Sequence, residues 1–233
     1  MAKYATRLDI DDYIVLQDDC DYGFSQDSVI LANVAEIKQN DVVLDVGCGT
    51  GILATLALVK KHARKAVGLE VQPRLCDLAR EGACINGLRD KLEIVNGDVK
   101  DVKNLVGAGQ FDKVLCNPPY FSQGASDGVK GVSRTESSAT LCDFVKAAAW
   151  ALRFGGDLYI VYKADKLCSL LSTLCENTLM PKEITLVYPK LSKGADVAIV
   201  KARKGAKEGL KIKALVVKNE DGTDTNEFKE LYR

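Results

Sequence analysis

Between the apolar run 42–46 and a helix-forming stretch over 50–62 stand three glycines at alternate positions, Gly47, Gly49 and Gly51. A strand that breaks into glycines and restarts as a helix confines the fold narrowly. It opens a strand–helix–strand unit whose loop leaves backbone amides free to meet a ligand at a helix N-terminus. The chain then continues the alternation. An apolar run over 66–70, a helix opened by Pro73 and closed near Gly87, a strand over 91–95 and a buried strand over 111–116 follow in turn. A helix over 141–152, with Thr140 and Asp143 placed as a capping box, leads to a strand over 157–162 and a helix after Asp165. This pattern predicts a mostly parallel sheet covered by helices on both faces.

Both ends of the chain differ from this middle. Residues 9–17 read as a short strand, and Ser25 reads as the N-cap of a helix running to about residue 37, with Phe24 and Val29 as its hydrophobic staple. Residues 184–188, 197–202 and 210–217 read as strands, with no helix between the last two, so an antiparallel hairpin is expected at the sheet edge. The expectation is one α/β domain over 1–233, with a seven-stranded sheet. Residues 1–40 form a strand and helix extension packed near the ligand site of the glycine loop.

Composition narrows the function. The 233 residues carry 32 Lys and Arg against 32 Asp and Glu, so no global field draws in a polyanion and any nucleic acid must meet a local patch. The basic residues concentrate over 181–213, where nine stand against three acidic ones. Eight cysteines include no Cys-x-x-Cys pair and His62 is the single histidine, so no metal site is expected. The N-terminus lacks an apolar signal core and no run of eighteen apolar residues occurs, which predicts a cytoplasmic protein with reduced thiols and no membrane contact. His62, Trp150 and the cysteines read as packing residues.

The glycine spacing selects the ligand. A dinucleotide fingerprint needs a glycine three residues after Gly49, where Ile52 stands instead. What remains is Asp45-x-Gly47-x-Gly49-x-Gly51, which resembles the first motif of Rossmann-like S-adenosylmethionine methyltransferases. That resemblance implies an acid ending the second strand to hold the ribose hydroxyls, a place taken by Glu70. It also implies a polar group after the third strand to accept from the adenine amino group, a place taken by Asp98.

After the buried strand comes Asn117-Pro118-Pro119-Tyr120. The exocyclic nitrogen of an adenine or a carboxamide is a poor nucleophile because its lone pair is delocalised. Acceptance of both N–H hydrogens, by the Asn117 side-chain oxygen and the Pro118 carbonyl, pulls that nitrogen toward tetrahedral geometry. The prolines stiffen the corner so that both acceptors are preplaced, and Tyr120 offers a face on which a base can stack. In a sheet that winds both ways from its first strand, this corner and the glycine loop are neighbours.

The Asn-Pro-Pro-Tyr string resembles the motif shared by adenine-N6 DNA methyltransferases, RNA amino-group methyltransferases and protein-glutamine methyltransferases acting on release factors. No recognition domain or long helical domain flanks it here. Over nearly its full length the chain is similar to the bacterial tRNA(Val) adenine-N6-methyltransferase family. The similarity is carried by 22–28 (Tyr-Gly-Phe-Ser-Gln-Asp-Ser), the glycine loop, Glu70, 117–120, Arg134 with Glu136, and the terminal segments 201–204 (Lys-Ala-Arg-Lys) and 221–223 (Asp-Gly-Thr). It implies methyl transfer to the adenine 3′ of the anticodon, with tRNA as partner, Asn117, Pro118 and Tyr120 as catalytic residues, and Asn117 also beside Asp45, the three glycines, Glu70 and Asp98 in binding the cofactor. It also implies substrate contacts at Phe121, Arg134, Lys201, Arg203 and Lys204, with Lys207 beside them. The basic segment is equally read as a solvated edge hairpin whose lysines oppose aggregation, and 122–133 as a lid or a plain long loop. The competing substrates are a release-factor glutamine and another RNA amino group.

Overall fold

In the computed structural model, residues 3–8, 10, 12–18, 25–119 and 139–231 are described. Two N-terminal strands, β1 (Lys3–Arg7) and β2 (Ile14–Asp18), pair antiparallel as a separate small sheet. Helix α1 (Gln26–Val34) follows, shorter than the expected span, with Ser25 at its N-cap. The staple residue Phe24 lies outside the described residues.

The main body alternates as the glycine loop requires: β3 (Val42–Val46), α2 (Ile52–Val59), β4 (Lys65–Glu70), α3 (Pro73–Ile85) and β5 (Leu92–Asn96), then the short α4 (Val102–Leu105) and β6 (Phe111–Cys116). Helix α5 (Leu141–Ala151) carries the expected Thr140–Asp143 capping box and runs without a loop into β7 (Leu152–Lys163). Helix α6 (Leu167–Glu176), the strands β8 (Leu179–Lys190), β9 (Val197–Lys204) and β10 (Lys211–Lys218), and α7 (Asn226–Leu231) complete the chain.

The large sheet has the order β10-β8-β9-β7-β6-β3-β4-β5. Every pairing in it is parallel except those of β9 with β7 and β8. Central strands buried on both faces are near-continuously apolar, as the sequence of β3 shows: Val43, Leu44 and Val46 are all fully buried. Alternate residues feed two cores. Val43, Leu115, Tyr159 and Ile199 pack under α1, α2, α3 and α7, whereas Leu44, Val114, Leu158 and Ile160 pack under α5 and α6. All eight residues of α2 are buried, as a helix apolar on every side must be.

Two expectations are corrected. The sheet has eight strands rather than seven, and the antiparallel hairpin is β8–β9, not 197–202 with 210–217. The reason lies in the strands themselves. Val197, Ala198, Ile199 and Val200 are all buried, a composition that suits an interior strand, and both edges of β9 are filled by β7 and β8. Strand β10 takes the open edge of β8, where it pairs parallel. Its lysines 211, 213 and 218 then blunt the free edge.

The N-terminal extension divides. The β1–β2 pair rests on α3, with Leu16 against Leu75 and Leu78, and with Arg74 paired to Asp18. Helix α1 instead reaches the end of β6.

Candidate active site

Strand order reverses at β3: the chain leaves it toward β4 and β5 on one side and returns with β6 and β7 on the other. Ligands of open α/β sheets bind at such a point, beyond the carboxyl ends of the strands. Val46 pairs with Cys116, so Gly47 and Asn117 each lie one residue past adjacent strand ends, about 5 Å apart across the sheet. The structure thus brings together the two motifs that the sequence holds 70 residues apart.

Backbone hydrogen bonds draw the loop over β4: the amides of Gly47 and Cys48 donate to the Leu69 carbonyl at 2.8 and 3.1 Å. Gly47 has φ +74°, and a Cβ there would stand 3.1 Å from the Phe144 ring of α5. Gly49 has φ +55°, and nothing lies within 4 Å of where its Cβ would be. That space is the cradle a ligand would use. Cys48 turns the other way, onto Gly68 of β4. Burial pushes its thiol well up, so it is an inert packing group.

Asp45 is fully buried. Its Oδ2 accepts from the Ala54 amide in the first turn of α2 at 3.1 Å, and its Oδ1 has no hydrogen-bond partner. A side-chain oxygen buried without a partner is uncommon in folded proteins, and this one stands beside the glycine loop. Burial pushes the Asp45 carboxyl from the usual 3.8 up to about 7; the Ala54 hydrogen bond opposes this and the Glu70 charge adds to it. Because the folded protein favours the protonated form, the stabilising contribution is fully present below about pH 4 and is lost as the pH rises to about 7. In urea unfolding of the ligand-free protein, Asp45→Asn removes this decline, worth on the order of 4 kcal/mol between those limits. An unchanged slope would contradict the assignment.

Glu70 closes β4 and is also buried. Its Oε2 accepts from the Gly49 amide and its Oε1 from the Gln72 amide, each at 3.0 Å. Each oxygen keeps lone-pair capacity for a hydroxyl. Burial pushes this carboxyl up as well, outweighing those backbone donors. Asp98, half-buried at the same end of the sheet, accepts from the Lys100 amide at 2.9 Å.

The corner after β6 holds a contact that sequence reasoning missed. Asn117 Nδ2 donates to Ser28 Oγ at 2.8 Å and to Ser25 Oγ at 3.2 Å. Ser25 was legible as a helix cap and both serines as part of the 22–28 motif, but nothing in one dimension joins either serine to a residue about 90 positions away. Pro118 is buried and Pro119 exposed. Tyr120, Phe121, Arg134 and Glu136, with the loop 122–133, lie outside the described residues.

Lys201, Arg203 and Lys204 lie away from the glycine loop and the Asn117 corner. Strand β9 is antiparallel, so its last residues lie at the amino ends of the other strands. Arg203 stands opposite Asp157, which is three rungs, about 10 Å, below the carboxyl end of β6. All three are engaged in the body. Lys201 pairs with Glu36 and lies over the Tyr159 ring, and Lys204 donates to the carbonyls of Ala149 and Leu152 at the end of α5. Arg203 grips the buried Asp157 at 2.7 and 3.2 Å, with Lys113 on the same carboxylate at 2.6 Å. Burial would push the Asp157 carboxyl up, but Arg203 and Lys113 hold it below the usual range. Arg203→Ala therefore costs about 2 kcal/mol of stability and leaves KM for the acceptor unchanged. A raised KM with unaltered stability would instead support the expected substrate contact.

The fold, the glycine loop at the switch point and the open carboxylate of Asp45 define an S-adenosylmethionine-dependent methyltransferase. The methyltransferase small domain family matches residues 18–181, and the chain belongs to that family. Among its relatives, the tRNA1(Val) (adenine(37)-N6)-methyltransferase of Shewanella sp. (strain MR-4) is 25% identical over 99% of this chain and 97% of its own length. The enzyme of the same name from Actinobacillus pleuropneumoniae serotype 5b is 25% identical over 94% and 92%. Among solved structures, a protein described as a predicted O-methyltransferase from Agrobacterium tumefaciens superposes with a TM-score of 0.71 at 20% identity, over 89% of this chain and 95% of that one. Geranyl diphosphate C-methyltransferase from Streptomyces coelicolor, solved with S-adenosyl-L-homocysteine, gives 0.55 at 12% identity, over 77% and 79%. These two likenesses are of fold. Among the described residues no cluster of His, Cys, Asp and Glu is arranged to hold a metal, and no helix is long and apolar enough to cross a membrane.

Proposed function

We propose that this enzyme methylates the exocyclic N6 of an adenine in RNA, and that its target is the adenine 3′ of the anticodon of tRNA(Val). The observation that carries the reading is the position of Asn117, one strand from the glycine loop and at the same sheet end. The names of the full-length relatives support the RNA acceptor.

In this reading Gly47, Gly49, Gly51 and Asp45 hold the amino-acid side of the cofactor, with Glu70 on its ribose and Asp98 at its adenine. The bound cofactor supplies a methyl group already activated on a sulfonium sulfur. The protein's own task is placement. Asn117 Oδ1 and the Pro118 carbonyl would accept the two N6 hydrogens and turn the nitrogen lone pair toward the methyl group that the cofactor would supply, one of those hydrogens then being lost as a proton; such placement would account for most of the acceleration. Tyr120 stacks on the base, and Phe121 and Arg134 contact the RNA beside it. A loop adenine is unpaired, so its entry costs less than extrusion from a duplex.

The test is incubation with radiolabelled methyl donor and total unmodified tRNA, then digestion to nucleosides. Label in N6-methyladenosine at the position 3′ of the tRNA(Val) anticodon is expected. Label on a release-factor peptide, with none on tRNA, would assign the acceptor to a glutamine carboxamide and defeat this reading.

A further inference from the structure

We infer that Ser28, together with Ser25, is a positioning residue that holds the Asn117 carboxamide with its nitrogen on α1 and its oxygen toward the substrate. The inference rests on the role proposed for Asn117. A carboxamide has two N–H donors and one oxygen acceptor, and its two ends are nearly alike in shape. Turned by half a rotation, it would present hydrogens to an incoming amino group and could accept nothing from it. Something must set its direction.

The first turn of α1 does so. Ser25 is the N-cap and Ser28 is three residues on, a spacing that puts both side chains on one face of the helix. Both Oγ atoms accept from Nδ2, at 3.2 and 2.8 Å. Among the described residues no donor reaches Oδ1. The support is rigid: Ser28 is buried, as are Ile30 and Leu31 one turn further along the helix. The Ser25 Oγ is itself held by the Ser28 amide at 3.4 Å. Donation from Nδ2 also polarises the amide and strengthens Oδ1 as an acceptor. The serines thus act on the substrate only through Asn117, and this gives the Ser-x-x-Ser of the 22–28 motif a role in the reaction.

A hydroxyl can donate as well as accept, so the test reads the amide hydrogens directly. In ¹⁵N NMR of the full chain, the Asn117 side-chain pair is assigned by its loss in Asn117→Asp, and its exchange with solvent is followed beside kcat, cofactor Kd and Tm. Ser28→Ala leaves the Ser25 cap in place and is expected to speed exchange and lower kcat, each by about tenfold or more, with cofactor Kd and Tm unmoved. Ser28→Cys, close in size but a far weaker acceptor, behaves as the alanine variant. Ser28→Thr keeps the hydroxyl and restores both readouts. A fall in kcat without faster exchange, or an unchanged kcat in Ser28→Ala, overturns the inference. If the wild-type enzyme methylates no RNA adenine, the proposed acceptor fails, and the exchange measurement alone then decides whether the serines hold the amide.

Discussion

Asn117→Ala lowers kcat for methyl transfer by about 10²- to 10³-fold, the usual cost of removing one preplaced polar group from a reacting centre. Cofactor Kd stays within about twofold, because the side chain acts where the acceptor nitrogen changes geometry and not where the cofactor is held. The structure supports that separation. The amide is anchored to Ser25 and Ser28 of α1, while the cofactor loop is anchored to Leu69 and Glu70 of β4. Neither anchor runs through the other, so the loop survives truncation of the asparagine. Isothermal titration with the cofactor beside steady-state kinetics checks both halves. A variant that binds cofactor poorly and turns over normally once saturated would reverse the assigned roles.

The complementary change gives the opposite split. Glu70→Ala raises cofactor Kd by about 100-fold, since charge-assisted hydrogen bonds contribute roughly 1.5–3 kcal/mol each, and leaves kcat at saturating cofactor nearly intact. Two effects combine. The ribose loses its carboxylate partner, and the Gly49 and Gln72 amides lose the acceptor that now fixes the loop to β4. Glu70→Gln keeps one acceptor oxygen and therefore falls between wild type and alanine. Equal losses in the two variants would mean that charge alone matters and that the loop needs no support from this side chain.

Much of this site was legible before any coordinates because it is built from local signals. A strand that ends in alternating glycines, a helix opened by Pro73 and the capping box of Thr140 and Asp143 each follow from a few neighbouring residues, and the order of strands and helices sets the sheet. What escaped depends on partners distant in sequence. The last third offered three apolar strands without saying which edges they fill. The burial of 197–200 and the lysines of 211–218 contain that answer, but only when one asks which strand can bear water.

The same limit applies to single side chains. Lys201, Arg203 and Lys204 look like a phosphate patch in one dimension, yet they face Glu36, Asp157 and the carbonyl end of α5. A basic residue reports its charge in the sequence but not the acid it will meet. The serines of α1 pose the converse case, where a cap that stabilises its own helix also bonds a residue from the other side of the glycine loop. Asp45 lies between these extremes: its place in the motif was plain, whereas its open Oδ1 and raised pKa arise from a burial that no motif states.

The central claim is that an exocyclic amine, held by Asn117 beside the glycine loop, receives the methyl group. Its most direct test compares two synthetic anticodon stem-loops of tRNA(Val) that differ at one base, adenine in one and unsubstituted purine, which lacks the N6 amine, in the other. In single-turnover reactions with cofactor already bound, the adenine stem-loop should yield N6-methyladenosine. The purine stem-loop should bind comparably and take no methyl group. Equal labelling of the two, or label on a ring nitrogen or ribose hydroxyl of the adenine stem-loop, would contradict the account.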